Sequence, residues 1–123
     1  MKKIVLLLSA LVLLSCEKED NYIEPKNKIS ACGYDDPLNQ LQWLNEMANK
    51  ALIDNSGNYQ GSIWIVSLTE ADCIVTDMSL GSGGVYHYYF DCSGKPFSDE
   101  DGLKGIENLL KDSNMIFSTV HQK

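Results

Sequence analysis

A chain of 123 residues with 17 acidic and 10 basic side chains, net charge −7, is long enough for one small domain. All ten basic residues are lysines, and they are scattered along the chain. Nucleic-acid binding needs clustered Lys and Arg against the phosphates, so this composition excludes it, and the acidity argues for solubility rather than for any particular partner.

The chain opens Met1-Lys2-Lys3, followed by an apolar run from Ile4 to Leu14 broken only by Ser9. A short basic segment before an apolar one is the plan of a secretory signal. About eleven residues make a helix of about 16 Å, against a hydrocarbon core of about 30 Å, so the run is too short to span a bilayer. It ends Leu13-Leu14-Ser15-Cys16, which resembles the lipobox of bacterial lipoproteins. The resemblance implies transfer of diacylglycerol to the Cys16 sulfur, cleavage between residues 15 and 16, and acylation of the new amino group. Two or more acyl chains anchor a protein stably where one does not. Glu17-Lys18-Glu19-Asp20 resembles the surface-export signal of Bacteroidota-type lipoproteins, which implies the outer face of the outer membrane. The other reading of those charges is a solvated linker, with the domain on the periplasmic side.

The expected organisation is a signal peptide over 1–15, a flexible lipid-anchored tether over 16–30, one domain over 31–120 and a tail over 121–123. About fourteen tether residues would span roughly 20 Å as a coil and about 45–50 Å when extended. Asp36-Pro37 is a helix start: Asp36 is placed to cap free amides, and Pro37 has no N–H to leave unpaired. Leu38, Leu41, Leu44, Ala48, Ala51 and Leu52 form one helical stripe, and Asn55-Ser56-Gly57-Asn58 ends it.

Strand-like runs follow at Ser62–Leu68, Cys73–Met78 and Val85–Asp91. A second hairpin closing on Ser82-Gly83 sets Cys73 opposite Cys92, within disulfide reach. The expected bridge is Cys73–Cys92. Cys32–Cys92 and Cys32–Cys73 remain as alternatives, each leaving one thiol over. In the same register Trp64, Val66, Cys73, Val75, Tyr88 and Phe90 share a face that should meet the helices. The opposite face carries Ile63, Ile65, Met78, Val85 and Tyr89, a candidate partner surface if exposed. Asp77 fits its apolar face only near an edge or bonded to a tyrosine hydroxyl. Ser98 with Glu100 and Asp101 starts a second helix, with Leu103, Ile106, Leu109 and Leu110 as its stripe and Gly102 and Gly105 weakening it. Met115–Val120 is a last strand. The expected fold is α+β: an antiparallel sheet of three or four strands with two helices packed on one face.

Cys32-Gly33, Asp36-Pro37-Leu38, Trp43-Leu44 and Asp91-Cys92-x-Gly94 together resemble a group of small Bacteroidota-type surface lipoproteins. The likeness covers most of residues 32–94. It implies the domain boundary and structural roles for Cys32, Trp43 and Cys92, and it brings no activity with it.

Catalytic patterns are sparse. His87 and His121 are the histidines, and in this register His87 faces away from Cys73 and Cys92, so no Cys–His pair forms. There is no Gly-x-Ser-x-Gly elbow, and Gly81-Ser82-Gly83-Gly84 lacks the Lys-Ser/Thr ending of a phosphate loop. No Cys/His spacing suits zinc, and Asp99-Glu100-Asp101 lacks the alternation of a calcium loop. No cofactor or metal is expected. The expectation is a non-catalytic binding or accessory module whose partners are the membrane, through acyl chains on Cys16, and an unidentified protein or glycan. The alternatives are a small thiol-dependent or hydrolytic enzyme and a periplasm-facing structural lipoprotein.

Overall fold

Residues 21–80, 87–98 and 101–120 are described by the computed structural model. The expected signal peptide, Cys16 and the expected hairpin closure at Ser82-Gly83 therefore lie outside the described residues. The elements are α1 (Pro37–Gln40), α2 (Gln42–Ile53), β1 (Ser62–Ser67), β2 (Asp72–Thr76), β3 (Tyr88–Phe90) and β4 (Met115–Ser118). Short 3-10 turns at Asp101–Leu103, Ile106–Leu109 and Asp112–Asn114 precede β4. The four strands form one antiparallel sheet in the order β3-β2-β1-β4. With two helices packed on one face, this is an α+β fold.

Both faces of the sheet are covered. Ile63, Ile65, Ile74 and Met78 meet Leu38, Leu44, Ala48 and Ala51 of the helices in one core. Trp64, Val66, Cys73, Val75 and Met115 meet Ile106, with Leu103, Leu110 and Phe97 at the margin, in a second. The β1–β2 register pairs Trp64 with Val75 and Val66 with Cys73, as the alternation predicts. The assignment of faces is reversed: the helices cover the Ile63 side, and the 3-10 segment covers the Trp64 side. Strand β4 helps by carrying a bulge. Ile63 pairs with Phe117 and Trp64 with Met115, so the extra residue Ile116 joins Phe117 on the helix side.

Three helical expectations are corrected. The first helix breaks at Leu41, whose φ of −87° and ψ of 110° are extended, so Leu41 caps α2 instead of continuing α1. Asp36 makes no side-chain cap; its Oδ2 accepts from the Asn39 side-chain amide at 2.9 Å. The second helix is a series of 3-10 turns, because Gly105 takes a left-handed φ of 74° that an α-helix cannot hold. Leu52, expected on the buried stripe, is exposed.

Residues 21–30, expected as tether, lie against the domain. Their burial alternates, with Ile23, Pro25, Asn27 and Ile29 turned inward. The Ile23 N–H donates to Asn39 Oδ1 and the Asn39 side-chain amide donates to the Ile23 carbonyl, each at 2.8 Å. Lys26 N–H donates to the Ile116 carbonyl at 2.8 Å, and the Asn27 side-chain amide donates to the carbonyls of Asp112 and Met115. The segment is a strap across α1 and β4.

Candidate functional site

The motif residues converge on one corner of the sheet. Cys32-Gly33 forms the centre of a tight turn in which Ala31 and Tyr34 exchange both backbone hydrogen bonds at 2.9 Å. Cys32 has φ 58° and Gly33 φ 81°, the paired positive values of a type I′ turn. Cys32 is an unusual occupant of such a position, and two contacts fix it there. Its N–H donates to Asp72 Oδ2 at 2.8 Å, and its sulfur is bonded to Cys92.

The disulfide is therefore Cys32–Cys92, one of the alternatives, and the expected Cys73–Cys92 bridge is corrected. Strand β3 pairs Ile74 with Phe90 and Val75 with Tyr89, one residue out of the expected register. The slip turns each β3 side chain to the other face. Asp91, not Cys92, then falls opposite Cys73, and Cys92 swings to the helix side.

There it meets α2. Trp43 Nε1 donates to the Cys92 carbonyl at 2.9 Å, and its ring lies 5.3 Å from that of Phe90. The loop is closed by Asp91, whose Oδ1 accepts from the Ser93 hydroxyl at 2.6 Å, the Ser93 N–H at 2.9 Å and the Lys95 N–H at 3.0 Å. The Ser93 hydroxyl first, then the two amides, hold the Asp91 carboxyl below the usual carboxylate range. Gly94, at φ 89°, lays its backbone against the face of the Trp43 ring.

The Asp72 carboxylate and the two sulfurs lie within 4.8 Å of one another. The sulfurs spend their bonding on each other, so the trio is a structural clasp rather than a set of thiolate ligands. The roles expected for Cys32, Trp43 and Cys92 are those of one knot joining turn, helix and hairpin.

No protein-family model, curated protein or solved structure matches the chain. Function must therefore be argued from the residues alone.

The expected partner surface is not assembled. Ile63, Ile65 and Met78 are buried under the helices. Tyr89 lies half-buried on the opposite face with the Trp64 core, and Val85 is outside the described residues. Ile63, Ile65 and Met78 are covered because the helices take their face, and Tyr89 is moved off it by the one-residue slip of β3.

That slip also moves His87 onto the face of Cys73, contrary to expectation. The His87 ring meets the Trp64 ring edge-on at 5.9 Å, and its Nδ1 lies 3.7 Å from Glu107 Oε2. Cys73 and His87 still do not pair. Tyr89 is opposite Val75, so His87 lies four residues along the strand from the position facing Cys73, about 13 Å away. Burial pushes the Cys73 thiol up to about 11, only partly offset by a hydrogen bond from the Phe90 backbone. Cys73 is a free, fully buried thiol that packs as a small hydrophobe. Iodoacetamide at pH 8 should leave it unmodified in the folded protein and alkylate it in denaturant, read by peptide mass. An adduct on Cys73 under native conditions would reopen the thiol-enzyme reading.

A cleft of about 230 Å³ lies between the strap, the start of α1 and β4, with Tyr22, Pro25, Ile29, Pro37, Leu38 and Ile116 in its wall. Asp35 and Asp36 also line it. Neither the cleft nor the strap behind it is legible in the sequence. The signal available was the even spacing of Ile23 and Ile29, which the polar residues between them obscure.

Proposed function

We propose that this chain is a lipid-anchored protein of the bacterial cell envelope, held by acyl chains on Cys16 and serving as a non-catalytic binding or accessory module at the outer-membrane surface. The observation that carries the reading is the Cys32–Cys92 disulfide in a chain that opens with a signal-like run and a lipobox. Disulfides persist in oxidising compartments and are rare in the cytosol, so the bridge and the Leu13-Leu14-Ser15-Cys16 segment argue independently for export. The acidic run Glu17-Lys18-Glu19-Asp20 supports the outer face.

The burial and raised thiol pKa of Cys73 speak against thiol catalysis, because the thiolate is the nucleophile. Tandem mass spectrometry of the membrane-extracted protein should find a mature chain starting at Cys16, with diacylglycerol on its sulfur. An unmodified Cys16, or a mature chain starting elsewhere, would sink the reading. Protease treatment of intact cells decides the leaflet: digestion without permeabilisation supports the outer face, and digestion only after permeabilisation supports the periplasmic one.

A further inference from the structure

Asn21, the first described residue of the strap, is tied to α2. Its carbonyl accepts from the Asn45 side-chain amide at 3.0 Å and from the Asn49 side-chain amide at 3.2 Å. Asn45, Asn49 and Ile53 follow at four-residue steps, so they share one stripe of the helix. Asn21, Asn49, Lys50 and Ile53 line one shallow depression, with Glu46 at its edge. In the last turn of α2, Ile53 is 79 % exposed and Leu52 57 %. Two large apolar side chains thus face outward in the last turn of α2, one turn past the Asn49 that holds Asn21.

The length of chain between Cys16 and Asn21 decides what they face. Five residue steps separate Cys16 from Asn21. They reach at most about 18 Å fully extended, and about 12 Å as a coil. Ile53 is one helical turn past Asn49, about 6 Å further along α2. Acyl chains on Cys16 would therefore confine this end of α2 to the near neighbourhood of the bilayer. Two side chains are too few to hold a free domain on a membrane. An anchor this short turns each encounter into an intramolecular one, and a small apolar contact then suffices.

We propose that the C-terminal end of α2 docks on the leaflet that holds the acyl chains of Cys16, with Ile53 and Leu52 entering the interface. The proposal rests on the lipidation of Cys16. It sets the domain on the membrane rather than well clear of it, and it directs the far end of the sheet outward.

The test uses the full-length acylated protein in vesicles of phosphatidylethanolamine and phosphatidylglycerol. A nitroxide is placed at Ile53→Cys and, for reference, at Glu70→Cys. Cys32 and Cys92 are paired and Cys73 is buried, so the label goes to the new thiol. Glu70 is exposed in the β1–β2 turn, beyond the end of β1 remote from Leu52 and about 20 Å away. The expected result is several-fold lower collision with an aqueous nickel chelate at position 53 than at 70, with higher collision with dissolved oxygen. Equal accessibility to the nickel chelate at both positions, on protein shown by mass to be acylated, overturns the docking and leaves the lipidation standing. Dipolar broadening between labels at position 53 would show a second copy on the patch and overturn it equally. Absence of the acyl mass overturns both.

Discussion

Cys92→Ala is expected to lower the stability of the domain by about 4 kcal/mol. The bridge joins residues 60 apart in sequence. In the chain-entropy model, closing a loop of that length removes about 4 kcal/mol of conformational freedom from the unfolded chain. Domains of this size are stable by about 5–15 kcal/mol in total, so the loss is a large share of the whole. Cys32→Ala should cost about the same, and the double variant little more than either alone, since the cross-link is lost once. Urea denaturation gives the comparison: the midpoint falls, and the m-value rises where the uncross-linked chain unfolds to a more open state. Dithiothreitol on the unmodified protein should reproduce the shift. A loss below about 1 kcal/mol would mean that the turn at Cys32-Gly33 and the Trp43 contact hold this corner without the covalent bond.

The sequence revealed the parts of this corner better than their arrangement. The β1–β2 pairing was legible because Trp64 and Val66 alternate with Ile63 and Ile65, and Val75 and Cys73 alternate with Ile74. What alternation cannot say is which face meets the helices when both faces are apolar. Every residue from Ser62 to Val66 is buried, so β1 reads as a continuous run rather than as inside and outside.

The β3 register was lost for a different reason. It was inferred from an assumed closure at Ser82-Gly83, and one residue of error there inverts His87, Tyr89 and Cys92 together. The wrong disulfide, the displaced Tyr89 and the wrong side for His87 are a single mistake seen three times. Asp77 carried a warning. Its Oδ1 accepts from the Ser62 N–H at 2.7 Å at the strand end, which explains an acid on that face without helping to choose a register. The break at Leu41 has no Gly or Pro to mark it. The strap was concealed by its composition: Asn27 holds it through side-chain hydrogen bonds to backbone 85 and 88 residues away, which no local pattern signals. The C-terminal 3-10 turns were half legible, since Gly102 and Gly105 were recognised as weakening a helix.

Gly94→Ala is the second large expectation, and it tests the corner without touching a sulfur. A Cβ built at Gly94 falls 2.9 Å from two atoms of the Trp43 ring, closer than real Cβ atoms approach. Gly94 also holds φ 89°, a left-handed value strained for any residue with a Cβ. The ring cannot simply retreat. Its Nε1 is bonded to the Cys92 carbonyl two residues before the substitution, and its other side meets Phe90. The strain and the overpacking together should cost about 2–4 kcal/mol, measured by thermal or urea unfolding. The two contributions separate in a double-mutant cycle. Trp43→Leu removes the ring and its hydrogen bond, so in that background Gly94→Ala should cost only the backbone strain, about 1 kcal/mol. Full additivity would place the whole penalty in the backbone and remove the Trp43–Gly94 contact from the account. Strong coupling would fix the hairpin loop and α2 as one unit, with the Cys32–Cys92 bridge spanning its edge. The strap would then approach Asn21 from a rigid corner, and the proposed acyl chains on Cys16 would constrain the orientation of the whole domain as well as its height above the bilayer.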